Sequence, residues 1–337
     1  MISELIEKFS NNEEVTSTEL KEGFDEIFSG LAQESLSSSF LTALKVKKEN
    51  EEDIFCAITS AKNAISKKTL SKNYEELVEY FTLADSKNYF DIQFASDIIS
   101  SANNLGALRY CFSSPFYKTQ PFETAKVFNL NFDIEKENLT DKFEQTNFAY
   151  IKLDTQEPYF KYTNALKRQL NFDNILNITD KFLNPYNAKN QIIGVKNKET
   201  VEKIASLCLK LNNSNSLILS SESSLPFVCP EGNTFVAEAW KDKIFTYNLN
   251  LELLGLKKHS LEEIKISSNE ETKDLIFEVF KDKKQNAIFD FIVANSGLNL
   301  YICKKANSII EGVELAKKTI LDNTAQEKLE QIIKIFS

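Results

Sequence analysis

The sequence predicts an α/β protein in which a small all-helical N-terminal domain is joined to a larger α/β domain with a mostly parallel central sheet flanked by helices. Three observations predict it. Apolar residues recur at helical spacing through the N-terminal part of the chain, and short β-rich runs then alternate with helical ones, the pattern of a sheet wound with helices. The length of 337 residues allows one large domain or two of ordinary size. The expected division is a helical domain over 1–72, with a returning helical segment at about 158–185, and an α/β domain over 73–157 and 186–337.

Ile2, Leu5, Ile6 and Phe9 open the first helix. Thr16-Ser17-Thr18 then offers N-cap residues before Leu20, Phe24, Ile27 and Phe28, and Gly30 closes that helix. A third run, Leu36 to Val46, sets Phe40, Leu41 and Leu44 on one face, and a fourth from Glu51 carries Ile54, Ala57, Ile58 and Ala61. Strands are predicted at Leu77 to Thr82, Ala107 to Tyr110, Phe148 to Ile151, Ser216 to Leu219, Thr234 to Trp240 and Lys243 to Asn248. Helices fall between and after them, at Phe90 to Asn103, Pro121 to Phe128, Lys198 to Leu211 and Thr272 to Phe280. Tyr159 to Leu170 reads as the helix that returns to the N-terminal unit. Ala287 to Tyr301 is a long segment of small and apolar residues and reads as a buried helix, followed by an amphipathic one from Ile309 to Leu321.

Composition narrows the function. Only eight glycines are present where average usage is about 7%, so backbone that could wrap a phosphate closely is scarce. The net charge of −9 opposes polyanions on average, leaving nucleic-acid binding to three lysine clusters: Lys45, Lys47 and Lys48; Lys67, Lys68 and Lys72; and Lys281, Lys283 and Lys284. Each is interleaved with acids, as solvated faces usually are. Five widely spaced cysteines form no C-x-x-C pair, which points to reduced, mostly buried thiols, with Cys229 the one offered as an exposed thiol. No run approaches ~18 apolar residues and the N-terminus lacks a signal-peptide pattern, so a cytoplasmic protein without membrane association is expected. Dinucleotide, Walker and serine-elbow motifs are missing, and the single histidine, His259, reads as an exposed surface residue.

Four stretches carry a resemblance. Gly30 to Leu44, GLAQESLSSSFLTAL, is followed in order by Asn184-Pro185 with Gln191-Ile-Ile-Gly-Val195, by Phe235-Val-Ala-Glu238, and by Asn295 to Tyr301 with Ala306 to Val313. Together they resemble the anthranilate phosphoribosyltransferase-like family, glycosyltransferase family 3, over essentially the whole chain. The resemblance implies a helical domain hinged to an α/β domain and a homodimer formed through the helical domains. It also implies phosphoribosyl pyrophosphate and magnesium in the cleft between domains, with transfer of the ribose phosphate to the anthranilate amine.

Against that family, the site positions of this chain are altered. The G-T-G-G-D phosphate loop falls on Phe81-Thr82-Leu83-Ala84-Asp85, keeping Thr82 and Asp85, and the N-I-S-T segment falls on Asp91-Ile92-Gln93-Phe94. K-H-G-N becomes Arg109-Tyr110-Cys111-Phe112; in the serine-rich loop Ser114 and Lys118 persist while G-S reads Gln120-Pro121. The Asp-Glu pair that holds magnesium reads Pro226-Phe227, the arginine that contacts anthranilate falls on Asp173, and the adjacent G-P reads Asp180-Lys181.

The leading expectation is therefore a non-catalytic dimeric binding or regulatory protein with no catalytic residue, metal or cofactor. A second is an active transferase or phosphorylase with a changed, phosphate-containing substrate, using Thr82, Asp85, Arg109, Ser114 and Lys118 as ligand-binding remnants. A third is nucleic-acid binding.

Overall fold

A computed structural model describes residues 1–68, 76–86, 88–111, 120–132, 136–153, 157–212 and 215–337. Fourteen helices and seven strands lie among the described residues. In chain order they are α1 (Ile2–Ser10), α2 (Ser17–Phe28), α3 (Glu34–Lys47), α4 (Glu51–Ala64), β1 (Leu77–Thr82), α5 (Ile92–Ala102) and β2 (Gly106–Cys111). Then come α6 (Gln120–Val127), α7 (Lys136–Thr146), β3 (Phe148–Lys152), α8 (Pro158–Leu170), α9 (Ile175–Lys181), β4 (Asn190–Gly194) and α10 (Lys198–Lys210). The chain ends with β5 (Asn215–Ser221), β6 (Thr234–Trp240), β7 (Lys243–Leu249), α11 (Asn269–Phe280), α12 (Ala287–Ile302), α13 (Ile309–Leu321) and α14 (Thr324–Phe336).

The chain divides into two units, Met1–Thr69 with Tyr110–Lys118 and Lys152–Asn187, and Leu70–Arg109 with Thr119–Ile151 and Ala188–Ser337. The first is built from α1 to α4 with α8 and α9. Thr16 and Asn50 close capping boxes with Glu19 and Asp53, satisfying amide groups that the first turns of α2 and α4 would otherwise leave open. Aromatic side chains fill the interior: Phe24 meets Phe40 edge-on at 5.4 Å, and Phe28 meets Tyr159 of α8 at 4.9 Å. Two buried ion pairs, Lys68–Glu157 at 3.1 Å and Lys167–Asp180, lie in the same unit.

The second unit is a seven-stranded sheet in the order β3-β2-β1-β4-β5-β6-β7. β1 pairs in parallel with β2 and β4, and β4 with β5; β5, β6 and β7 follow as an antiparallel meander. Both α5 and α12 are buried on nearly every face, and hydroxyl and amide groups join them: Ser296 lies 3.3 Å from Ser96, and Asn299 donates to Ser100 at 2.9 Å. The sheet is thus mostly parallel and flanked by helices.

Four elements, β4, α7, α9 and α14, carry no separate expectation from the sequence. β4 begins with Asn190 and Gln191, polar residues that are nonetheless 2% and 1% exposed, so its apolar run is too short to announce a strand. Among the described residues no helix is long and apolar enough to cross a membrane.

Candidate functional site

The positions singled out in the sequence gather in two places. At the C-terminal end of β1, Thr82 pairs in register with Gly194, the last residue of β4. The chain then runs through Leu83 and Ala84, both half-buried, to an exposed Asp85. Phe81 is buried at the end of β1. The Leu83 amide donates to the Gly194 carbonyl at 2.7 Å, so the first amide past the strand is already engaged. Further on, Phe90 N–H donates to Ile264 O at 2.8 Å and Ile266 N–H to Asn88 O at 3.1 Å, tying this loop to a neighbouring segment.

Asp91 is the N-cap of α5. Its Oδ1 accepts the Phe94 N–H at 3.1 Å, and the side chain is buried. Burial pushes its carboxyl up to about 6, against the Phe94 amide that favours the ion. A helix N-terminus attracts anions through its free N–H groups and dipole; here the chain supplies the anion itself. Gln93 folds back to donate to the Tyr80 carbonyl at 2.8 Å.

Arg109, expected among the remnants that could neutralise a phosphate, is turned inward. It is 3% exposed on β2, donates from Nε to Asp97 Oδ2 at 2.7 Å and from Nη1 to the Tyr80 carbonyl at 2.6 Å, and closes a second contact from Nη2 to Asp97. Tyr150 donates to the same Asp97 at 2.9 Å. This bidentate pair with Asp97 neutralises the guanidinium, and the planar fork is used up inside the fold. Asp97 lies twelve residues away and carried no signal in the sequence.

The segment matched to the resembled family's magnesium position, Pro226-Phe227, presents no carboxylate. Pro226 is buried and its carbonyl accepts the Tyr80 hydroxyl at 3.1 Å. Phe227 is 1% exposed and packs edge-on against Phe291 at 5.1 Å and Tyr89 at 6.4 Å. A Cβ on Gly194 would come within 2.1 Å of the Pro226 carbonyl, which shows how closely the two segments approach. Hard cations need several oxygen ligands. Residues of this kind do not fit magnesium, and among the described residues no group of three or more His, Cys, Asp or Glu could hold a metal ion.

In the helical unit, Asp173 is exposed just before α9 and accepts the Asn177 side-chain amide at 2.7 Å. Asp180, at the end of α9, is buried against Lys167 and Tyr159. Phe112, Ser114 and Lys118 lie outside the described residues, as does Lys72.

Two readings of single residues need correction. His259 is not a free surface residue: its side chain is 13% exposed and sits 2.8 Å from Asp290, with Glu263 at 3.6 Å. Cys229 is buried, not exposed, and burial pushes its thiol up to about 12, which removes it as a nucleophile near neutral pH. Several lysines of the clusters are engaged: Lys45 with Glu49, Lys47 with Asp53, Lys68 with Glu157 and Lys284 with Glu278.

Comparison with known proteins agrees with the fold. The model of the glycosyl transferase family a/b domain matches residues 123–326, and that of the family's helical bundle domain matches residues 3–62. An anthranilate phosphoribosyltransferase of Methanobrevibacter smithii is 28% identical over 337 residues, covering 99% of this chain and 98% of the relative. One from Vesicomyosocius okutanii is 26% identical over 334 residues, again covering 99% and 98%. Among solved structures, the anthranilate phosphoribosyltransferase of Thermus thermophilus superposes with a TM-score of 0.85 at 18% identity, covering 98% of this chain and 99% of that one. The Saccharomyces cerevisiae enzyme in complex with PRPP and Mg superposes at 0.84 with 19% identity, covering 99% and 97%. By its two matched domains and its full-length relatives, the chain belongs to the anthranilate phosphoribosyltransferase-like glycosyl transferase family.

Proposed function

We propose that this protein is an anthranilate phosphoribosyltransferase-like protein that no longer binds phosphoribosyl pyrophosphate, magnesium or anthranilate, and that acts in the cytoplasm as a non-catalytic homodimeric binding or regulatory protein. The observation that carries the reading is Asp91, whose buried carboxylate already caps the helix that a phosphate would approach. A diphosphate brought there would meet a like charge in low dielectric, where repulsion is far stronger than in water. Arg109, the first cation after Asp91 in the sequence, is committed to Asp97. Phosphoryl and glycosyl transfers depend on positioning and charge neutralisation, and these are the functions whose residues have changed.

The experiment is a turnover assay with phosphoribosyl pyrophosphate, magnesium and anthranilate, followed by the loss of anthranilate fluorescence. The expected result is no turnover above the protein-free blank. Turnover anywhere near the ~1–10³ s⁻¹ of ordinary enzymes overturns the reading. Calorimetric titration with phosphoribosyl pyrophosphate, with and without magnesium, is expected to show no magnesium-dependent heat.

A further inference from the structure

At the open end of the β6–β7 hairpin, Thr234 pairs with Leu249, and the next residues outward are Asn233 and Asn250. Asn250 Nδ2 donates to Asn233 Oδ1 at 3.0 Å, Asn233 Nδ2 donates to Glu222 at 3.1 Å, and Asn250 Oδ1 accepts the Leu253 N–H at 2.9 Å. Each side-chain amide is therefore fixed in place and has spent one of its two N–H donors. Both line a cavity of about 150 Å³ that lies within the α/β unit. Its apolar lining is Pro230 and Leu251, and its charged lining is Glu252 and Lys258.

Opposite charges bordering one cavity ordinarily close on each other. Among the described residues Glu252 and Lys258 form no ion pair, with each other or with any other side chain. The Lys258 charge does reach Glu222, whose carboxyl is held below the usual carboxylate range chiefly by its Asn233 hydrogen bonds and additionally by Lys258. We propose that this cavity is a receptor for a small α-amino acid. The ligand's carboxylate meets the Lys258 ammonium and the unspent N–H groups of Asn233 and Asn250, its ammonium meets Glu252, and its short side chain rests on Pro230 and Leu251.

Charge decides the class of ligand. A bare anion such as phosphate would gain Lys258 and the two amides but meet the Glu252 carboxylate, and a bare amine would gain Glu252 but meet Lys258. A zwitterion satisfies both, and a carboxylate accepts the three converging donors with its two oxygens. Size narrows it further. A volume of about 150 Å³ has room for about five waters at ~30 Å³ each, enough for a few heavy atoms and too little for a nucleotide. The amides are held before a ligand arrives, so their ordering costs nothing on binding, whereas the exposed Lys258 and Glu252 must be ordered by it. Modest affinity follows, suited to sensing a metabolite and not to storing it. Such a site would give a binding protein its ligand, and it requires neither loss nor retention of turnover.

The test titrates the full-length protein with L-alanine by calorimetry, with melting temperature as a second readout. Propionate, ethylamine and inorganic phosphate at matched ionic strength are the controls. L-alanine is expected to bind saturably, and each control more weakly by roughly tenfold or more. Lys258→Met and Glu252→Gln change exposed side chains and are expected to keep the wild-type melting temperature without ligand. Each is expected to lower the affinity for L-alanine by roughly tenfold or more. The half-ligands separate the two roles: Glu252→Gln is expected to hold propionate about as well as L-alanine, and Lys258→Met to hold neither. Heat that does not saturate with L-alanine, equal binding of propionate and L-alanine by the wild-type protein, or an affinity unchanged in either variant overturns the proposal.

Discussion

Asp91 carries a charge that the fold tolerates poorly. Its carboxyl stands near 6 when folded because burial disfavours the ion, against 3.8 for an ordinary aspartate. The folded state therefore holds this proton between about pH 4 and 6 while the unfolded chain has lost it, and the sign follows: the contribution to stability is full below pH 4 and is lost as pH rises through 6. Asp91→Asn keeps a good N-cap without the charge, and should raise stability at pH 7.5 by about 2–3 kcal/mol, with no gain at pH 4. Denaturant melts at the two pH values check this; a loss at pH 7.5 would mean the ion is welcome. Arg109 behaves oppositely. Arg109→Met leaves Asp97 buried with only the Tyr150 hydroxyl, and should cost about 3–5 kcal/mol, whereas an arginine held free for a ligand could be removed at little cost. Both residues were found in the sequence as site positions. Their inward roles were not legible, because burial and the partner at Asp97 arise only when α5 packs on the sheet.

Elements with strong periodicity were legible and those with polar cores were not. α2 shows in its cap and its Leu20-Phe24-Ile27 spacing, and α12 in its length of mostly apolar and small residues, although Asn295, Ser296 and Asn299 are buried on it. β4 hid because Asn190 and Gln191 are buried through side-chain bonds, Asn190 to the Leu77 carbonyl at 3.1 Å and Gln191 to Glu79 at 2.7 Å, so no alternation shows. α7 hid because its described inward residues are few, Leu139 and Phe143 among them. Where the retained family stretches meet in space, packing is tight: a Cβ at Gly312 of α13 would lie 2.4 Å from the Gly297 carbonyl of α12. Backbone cannot yield as a side chain can. Gly312→Ala should therefore destabilise the α/β unit by roughly 1–3 kcal/mol despite its better helix propensity, as hydrogen exchange in α12 and α13 would report. A neutral or stabilising result would show that the two helices can separate freely.

At the scale of the whole molecule, the proposed loss of chemistry stands against a well-packed scaffold. Capping boxes, aromatic packing and the close α12–α13 contact make up the scaffold, while at the positions matched to the resembled family's site Asp91, Asp180, Pro226 and Phe227 are buried and Asp173 is exposed. A protein that keeps its scaffold needs a surface on which the scaffold is used. The two most exposed large apolar side chains among the described residues, Leu31 at 81% and Val46 at 78%, both belong to the helical unit, one just before α3 and the other near its end. Exposed aliphatic side chains are common singly, but a pair at this level suits the homodimer proposed through that unit. Light scattering should then give twice the chain mass at micromolar concentration, and Leu31→Asp with Val46→Asp should lower it to one chain. Neither side chain is packed within its own unit, so the monomer is expected to keep its circular dichroism and lose only the concentration dependence of its melting temperature. A wild-type chain that scatters as a monomer at every concentration, or a double variant that stays dimeric, would place the association elsewhere or remove it.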